Sequence, residues 1–217
     1  MRIPNPESRI PSLMAILDLE AAACAAWDPI DLAKAFLAGG ARLLQVRAKA
    51  ASGALFLDTA SAVVALARGA GGMVIVNDRA DIGQLSGADG IHVGQDDLAP
   101  ALVRRIVGDQ AIVGLSTHTS AQLDAACGVP VSYVAIGPVF ATNSKATGYD
   151  AIGIEAVRAA SSVAAARGLP LVAIGGITLE SAASVLAAGA TSVAVIGDLL
   201  SGGDPEGRVR QYVRALA

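Results

Sequence analysis

The chain has 217 residues, of which 53% are hydrophobic and only 3% aromatic, so one domain with a core of Ala, Val, Leu and Ile is expected. The formal net charge of −3 argues against nucleic-acid binding, which needs a basic face, and no stretch reaches the roughly 20 apolar residues of a membrane span. The two cysteines lack the spacing of a disulfide framework or a zinc site and indicate a reducing, cytoplasmic location.

Eight short apolar runs alternate with Ala-rich segments of helical spacing. The predicted strands are Leu13–Leu17, Leu43–Val46, Met73–Val76, Ile91–Val93, Ile112–Leu115, Tyr133–Ile136, Leu171–Ile174 and Val193–Ile196. Continuous apolarity is typical of strands covered on both faces, and alternation with helices indicates a parallel sheet of βαβ units. The pattern predicts a single-domain (β/α)₈ TIM barrel over residues 1–217, with its core at about 13–200. A doubly wound open sheet is the alternative, although no run is polar enough to indicate an edge strand.

Acidic loops follow the third and fourth predicted strands. Asn77-Asp78-Arg79 comes after one and Gln95-Asp96-Asp97 after the next. The segment between the runs fits one short helix, so Asp78 and Asp97 are expected at neighbouring parallel strand ends, facing the same space. Mg²⁺ takes one or two carboxylates together with substrate phosphate oxygens. The spacing therefore predicts a magnesium site, with helix caps or turn residues as the alternative.

Two cations and an amide follow the second predicted strand. Gln45, Arg47 and Lys49 alternate along an extended segment, so their side chains should share one side. Arginine binds phosphate through a fork of donors and lysine as a point charge. This trio suits a diphosphate, and a solvated loop is the competing interpretation for the motif taken alone.

The later strand ends carry hydroxyls, glycines and one more lysine. These residues are Ser116 after the fifth run, Thr142, Ser144 and Lys145 after the sixth, Gly176 after the seventh, and Ile196 with Gly197 at the eighth. Bare backbone after the last two strands often builds the phosphate site of barrel enzymes. A polar surface loop and helix-capping glycines are the alternatives. His92, inside a strand, is expected to be a core or lining residue.

A family resemblance rests on these same residues. The strings QVRAK, VNDRAD, ADGIHVGQDDL, VGLSTHT, GPVFATNSK and AIGGIT occur in this order and closely resemble the thiamine-phosphate synthase family, from about Leu13 to Leu199. That family joins 4-amino-5-hydroxymethyl-2-methylpyrimidine diphosphate to a thiazole phosphate and releases diphosphate. The resemblance implies a Mg²⁺-dependent transferase with small-molecule substrates.

The resemblance also implies a role for each matching residue. Those expected to bind the pyrimidine diphosphate are Gln45, Arg47, Lys49, Asn77, Ser116 and Lys145; of these, Arg47, Lys49, Ser116 and Lys145 are expected to be catalytic. Asp78 and Asp97 would hold Mg²⁺. The residues expected at the thiazole phosphate are Thr142, Ser144, Gly176, Ile196 and Gly197. Cations would stabilise the departing diphosphate, and the thiazole nitrogen would attack the pyrimidine methylene without a general base.

Two departures from the family pattern bear on the thiazole phosphate. Gly197 stands where the family usually has Ser, which leaves only a backbone donor, and Ser144 replaces the usual Thr but keeps the hydroxyl. The neighbouring Asp198 brings a negative charge that can oppose phosphate binding unless its side chain points away. A thiazole tautomerase-like isomerase and a non-catalytic phosphate-binding regulator are the other functions considered. A homo-oligomer is left open by the sequence.

Overall fold

The predicted strands form in chain order and close into a barrel. The computed structural model describes residues 10–142 and 148–217. Its strands are β1 (Leu13–Asp18), β2 (Leu43–Arg47), β3 (Met73–Asn77), β4 (Gly90–Val93), β5 (Ile112–Thr117), β6 (Tyr133–Ile136), β7 (Leu171–Ile174) and β8 (Ser192–Val195). Each pairs in parallel with the next, and β8 pairs with β1. The TIM-barrel prediction is therefore confirmed, with every strand boundary within two residues of the predicted one, and the open-sheet alternative is wrong.

Helices alternate with these strands. They are α1 (Leu19–Cys24), α2 (Pro29–Ala38), α3 (Gly53–Gly69), α4 (Ala80–Ser86), α5 (Pro100–Val107), α6 (Ser120–Ala126), α7 (Gly153–Ala165), α8 (Leu179–Ala187) and α9 (Pro205–Ala215), and a 3₁₀ segment, Gly197–Gly203, follows β8. Side-chain caps begin several of them: the Asp18 carboxylate accepts from Ala21 N at the start of α1. Within the described parts of the chain, no helix is long and apolar enough to cross a membrane.

The core has two layers, because strand side chains alternate between the barrel lumen and the surrounding helices. One cluster, which includes Ile16, Leu43 and Ile75, fills the lumen, and the larger cluster packs strands against helices. Two residues farther along β1, β2 and β3, the same alternation places polar side chains above the apolar lumen. The residues of this polar layer are Asp18, Gln45, Asn77, His92 and Ser116, all less than 9% exposed. The fold thus builds a polar floor at the carboxyl ends of the strands, where barrel enzymes carry out their chemistry.

Candidate active site

Arg47 is held by a buried carboxylate. Its guanidinium forms an ion pair with Asp18, which is 4% exposed, and lies 4.0 Å from Glu20. Arg47 and Lys49 line a cleft together with Asp18 and Glu20. An arginine has five N–H donors, so the ion pair with Asp18 fixes the side chain and leaves donors for a ligand.

The predicted pair of aspartates is brought together. Asp78 forms an ion pair with Lys49 and lies within hydrogen-bonding reach of Asp97. The Asp78 N–H donates to the carbonyl of His92 at 2.7 Å, and Asp97 accepts from Gly94 N at 2.7 Å. Asp78 has φ of +62°, a left-handed conformation in which aspartate and asparagine are enriched. Local backbone geometry therefore directs the two carboxylates toward one another.

The electrostatics of this pair fit a cation. Burial raises the pKa of Asp78, the Lys49 ammonium opposes that shift, and the neighbouring Asp97 carboxylate adds to it. Two close carboxylates repel each other, and a divalent cation between them would relieve that repulsion. Among the described residues there is no cluster of three or more metal-type side chains. Asp78 and Asp97 are nevertheless a donor set of the kind that Mg²⁺ uses with water and phosphate oxygens.

Gln45 and Asn77 lie in the polar layer, as the strand alternation predicts. Gln45 is 4% exposed, and its amide nitrogen contacts the Met14 sulfur at 3.4 Å. Asn77 is 8% exposed and ends β3 directly before Asp78. Both amides therefore belong to the polar layer above the apolar lumen.

A second cavity of about 310 Å³ opens beside the charged cleft, between the ends of β5 to β8. Among its lining residues are five of the predicted site, Ser116, Thr142, Gly176, Ile196 and Gly197. Pro138, Ile174 and Ile177 give it apolar walls. Gly176 has φ of +62°, and a Cβ there would lie 2.5 Å from the carbonyl oxygen of Ala141, so glycine is required where the two loops meet.

Ser144 and Lys145 lie outside the described residues. Their assignments to the thiazole phosphate and to the diphosphate, respectively, therefore remain predictions. Thr142, at the edge of the described segment, does line the cavity.

The structure shows how the charge of Asp198, whose effect the sequence left open, is paired. Its carboxylate accepts two hydrogen bonds of 2.9 Å from Arg208, one of 2.6 Å from the Tyr212 hydroxyl and one of 3.1 Å from Leu179 N. Asp198 borders the cavity, but its charge is paired, so the repulsion of a phosphate is largely offset. Arg208 also gains a role here that the sequence did not indicate.

Several site residues were missed from the sequence. Asp18 ends its strand beside the cleft, and the strand-end rule that selected Asp78 would have found it. His92 was expected only as a core or lining residue, yet its ring bonds to Ser116 Oγ at 2.8 Å and to the Tyr133 hydroxyl at 2.7 Å. Gln95 donates to the Ser116 carbonyl at 2.6 Å. No sequence signal reveals these last contacts, because they join different strands.

Comparisons with known proteins point to a single family. The family model described as "Thiamine monophosphate synthase" matches residues 13–199. The thiamine-phosphate synthase of Koribacter versatilis is 42% identical over 213 residues, covering 96% of this chain and 97% of that protein. The enzyme of that name from Chlorobium luteolum is 41% identical over 189 residues, covering 87% and 88%. The solved thiamine phosphate pyrophosphorylase from Pyrococcus furiosus shares the fold, with a TM-score of 0.85, 24% identity and 98% coverage of both chains.

Proposed function

The chain belongs to the thiamine monophosphate synthase family, and from this premise we propose how its residues carry out the reaction. It is a transferase of thiamine biosynthesis that condenses a pyrimidine with a thiazole. We propose that the pyrimidine enters as 4-amino-5-hydroxymethyl-2-methylpyrimidine diphosphate and the thiazole as its phosphate, so that thiamine phosphate and diphosphate leave. Cytoplasmic action, as predicted from the cysteine usage, is part of this proposal. The names of the relatives favour the synthase over a tautomerase or a regulator.

The observation that carries the proposal is the division of the barrel mouth into two unlike halves. In one half, Lys49 contacts Asp78, whose carboxylate neighbours Asp97, and Arg47 lines the same cleft as Lys49. The other half is the apolar cavity of about 310 Å³. A charged diphosphate fits the first half, and an uncharged thiazole ring fits the second.

Asp78 and Asp97 would hold Mg²⁺, because their carboxylates are close together, and burial together with the neighbouring Asp97 raises the pKa of Asp78. When bound, the metal would neutralise charge on the diphosphate oxygens. Lys49 contacts Asp78, so its ammonium would add a positive charge beside the same group. The residues present thus fit the metal that the family resemblance implies.

The chain's own cations promote departure of the diphosphate. Arg47, fixed by Asp18, and Lys49 would bind its oxygens, and Lys145 would add a third charge, as the resemblance implies. Preorganised charges of this kind stabilise the transition state because no reorganisation is needed as charge develops. As the carbon–oxygen bond breaks, the electron-rich aminopyrimidine shares the positive charge on its methylene, and the thiazole nitrogen supplies the new bonding pair. That nitrogen carries no proton to remove, so no general base is required.

The thiazole half would bind mainly through backbone and hydroxyl groups. Gly176, Ile196 and Gly197 line the cavity, and backbone N–H groups of such residues can bind phosphate oxygens. Thr142 and Ser144 would add hydroxyl donors. The apolar walls exclude water from the reacting carbon and so favour attack by the thiazole over hydrolysis.

Steady-state kinetics of Arg47→Lys test this division. The lysine keeps a positive charge near Asp18 but loses the planar fork. Loss of a charge-assisted hydrogen bond predicts a rise of about tenfold or more in KM for the pyrimidine diphosphate, with KM for the thiazole phosphate nearly unchanged. Arg42→Lys is the matched control, because Arg42 precedes the same strand at the opposite end of the barrel. A selective rise in the thiazole phosphate KM would show that the two halves are assigned the wrong way round.

A further inference from the structure

A chain of three hydrogen-bonded side chains ends at Ser116. The buried Tyr133 hydroxyl lies 2.7 Å from Nδ1 of His92, and Nε2 of the same ring lies 2.8 Å from Ser116 Oγ. Ser116 lines the cavity, whereas Tyr133 has no exposed surface. We propose that Tyr133 and His92 are positioning residues that fix the Ser116 hydroxyl as a hydrogen-bond donor to the pyrimidine diphosphate substrate. This inference rests on the proposed role of Ser116.

The barrel is built to let the tyrosine reach the histidine. Gly114 pairs with His92 on one side and with Tyr133 on the other, so it lies between them in the same row of the sheet. A Cβ on Gly114 would lie 2.0 Å from Cζ of Tyr133 and 2.4 Å from its hydroxyl oxygen. Only a residue without a side chain allows the phenol to cross this strand.

The direction of the chain follows from the tyrosine. Within the described residues, His92 is the one hydrogen-bond partner of its hydroxyl, and burying an O–H without an acceptor costs free energy. Burial also raises the pKa of Tyr133, so the phenol keeps its proton. The hydroxyl must therefore donate to Nδ1, which then carries no hydrogen.

The histidine passes this direction on to the serine. A neutral imidazole has one protonated nitrogen, so with Nδ1 accepting, Nε2 carries the hydrogen and donates to Ser116 Oγ. The serine proton is then directed away from the histidine and is available to a bound substrate. Gln95 holds the Ser116 carbonyl at 2.6 Å, which fixes the backbone from which this hydroxyl projects. In the opposite tautomer Nε2 carries no hydrogen, and the Ser116 hydroxyl would donate to the ring instead of to a substrate.

The tautomer can be measured directly. The chain contains two histidines, and ¹⁵N-labelled imidazole signals distinguish protonated from unprotonated ring nitrogens. At a pH where both rings are neutral, His92 should show a protonated Nε2 and an unprotonated Nδ1. His118 is the internal control with the opposite tautomer, because its Nδ1 lies 2.6 Å from the Gly137 carbonyl, which can only accept. Tyr133→Phe should shift the two ¹⁵N signals of His92 toward the average of the two tautomers and leave those of His118 unchanged.

Kinetics then connect the tautomer to the reaction. Tyr133→Phe keeps the ring that packs over Gly114 and removes only the donor. We expect a threefold to tenfold fall in kcat/KM for the pyrimidine diphosphate, which is the range of one neutral hydrogen bond. In a Ser116→Ala background the same substitution should change kcat/KM less than twofold, because the chain then has nothing to position. A purely structural role for Tyr133 would lower activity equally in both backgrounds.

The outcomes separate this inference from the proposed function. A wild-type His92 protonated on Nδ1, or equal effects of Tyr133→Phe in the two backgrounds, would overturn the positioning role even if Ser116→Ala is slow. A Ser116→Ala protein with wild-type kinetics would refute the substrate role of Ser116, and the positioning role would fall with it. The predicted tautomer, together with a less than twofold effect of Tyr133→Phe in the Ser116→Ala background, would support both the substrate role of Ser116 and the positioning role.

Discussion

Replacing Asp78 with asparagine should separate activity from stability. Asparagine keeps the shape of the side chain and tolerates the φ of +62° at this position, so the loop is expected to keep its conformation. The variant loses an ion pair with Lys49, whose side chain is 50% exposed, and such pairs contribute about 0.2–1 kcal/mol. It also loses a carboxylate whose pKa is raised by burial and by the adjacent Asp97, which offsets that loss. The free energy of unfolding should therefore change by no more than about 1 kcal/mol, a Tm shift of at most about 4 °C.

The effect on catalysis should be far larger. If the Asp78 carboxylate holds the metal against the diphosphate, its neutralisation removes one charge-stabilising contact, worth about 10²–10³ in kcat. The assay is the rate of thiamine phosphate formation as a function of Mg²⁺ concentration, and half-saturation should also need more metal. Asp96→Asn is the matched control, since Asp96 is exposed in the neighbouring loop. A folded Asp78→Asn protein with an ordinary rate and ordinary metal requirement would reassign Asp78 to a structural turn.

The same raised pKa fixes the sign of a pH effect. The folded state binds a proton at Asp78 more tightly than the unfolded chain does, so this group adds stability at low pH that is lost as pH rises through the folded pKa. Relative to Asp78→Asn, metal-free wild-type protein should therefore gain unfolding free energy on acidification. Denaturant titrations of both proteins across this range measure the unfolding free energy of the wild type minus that of the variant. This difference should rise as the pH is lowered, and a difference that falls would contradict the assigned cause.

Three further substitutions probe other parts of the site. Lys145→Ala should raise the activation free energy by several kcal/mol at most, with little change in Tm. Lys34→Ala is the control and should change neither the rate nor the Tm. A Lys145→Ala protein that is destabilised but has a normal rate per folded molecule would argue against the assignment. Gly197→Ser should lower the thiazole phosphate KM modestly, since a hydrogen bond to a charged group contributes about 1.5–3 kcal/mol at best; a change confined to the pyrimidine diphosphate KM would reverse the two subsites. Arg208→Met leaves the Asp198 carboxylate without its cation, so we expect about 2–3 kcal/mol lower unfolding free energy and a higher thiazole phosphate KM; an unchanged KM would show that Asp198 does not influence phosphate binding.

The sequence predicted those features that depend on local pattern. The β strands were recognisable because runs such as Tyr133–Ile136 and Leu171–Ile174 are continuously apolar. The barrel rule then located Asp78 and Asp97 together, since neighbouring parallel strands end at one edge. Alternation along β2 predicted that Gln45 and Arg47 point to the same side of the strand; in the structure Gln45 lies in the polar layer and Arg47 lines the charged cleft.

Contacts that depend on closure of the barrel could not be predicted in this way. Arg208 lies on the last helix and reaches Asp198 after β8, a pairing that requires α9 to dock beside the eighth strand. Tyr133 reads as an ordinary apolar strand residue, and its bond to His92 exists only because Gly114 separates them. In both cases the sequence shows the residue type but not the neighbour that gives it a role.

Equimolar formation of thiamine phosphate and diphosphate by the purified protein tests the central claim most directly. Both substrates and Mg²⁺ are supplied together, and each product is quantified from the same reaction. The account predicts a one-to-one ratio, no product when either substrate is omitted, and loss of activity in excess chelator that returns with added Mg²⁺. Full activity in chelator would contradict the metal role, and conversion of the thiazole phosphate alone, without thiamine phosphate, would contradict the synthase assignment.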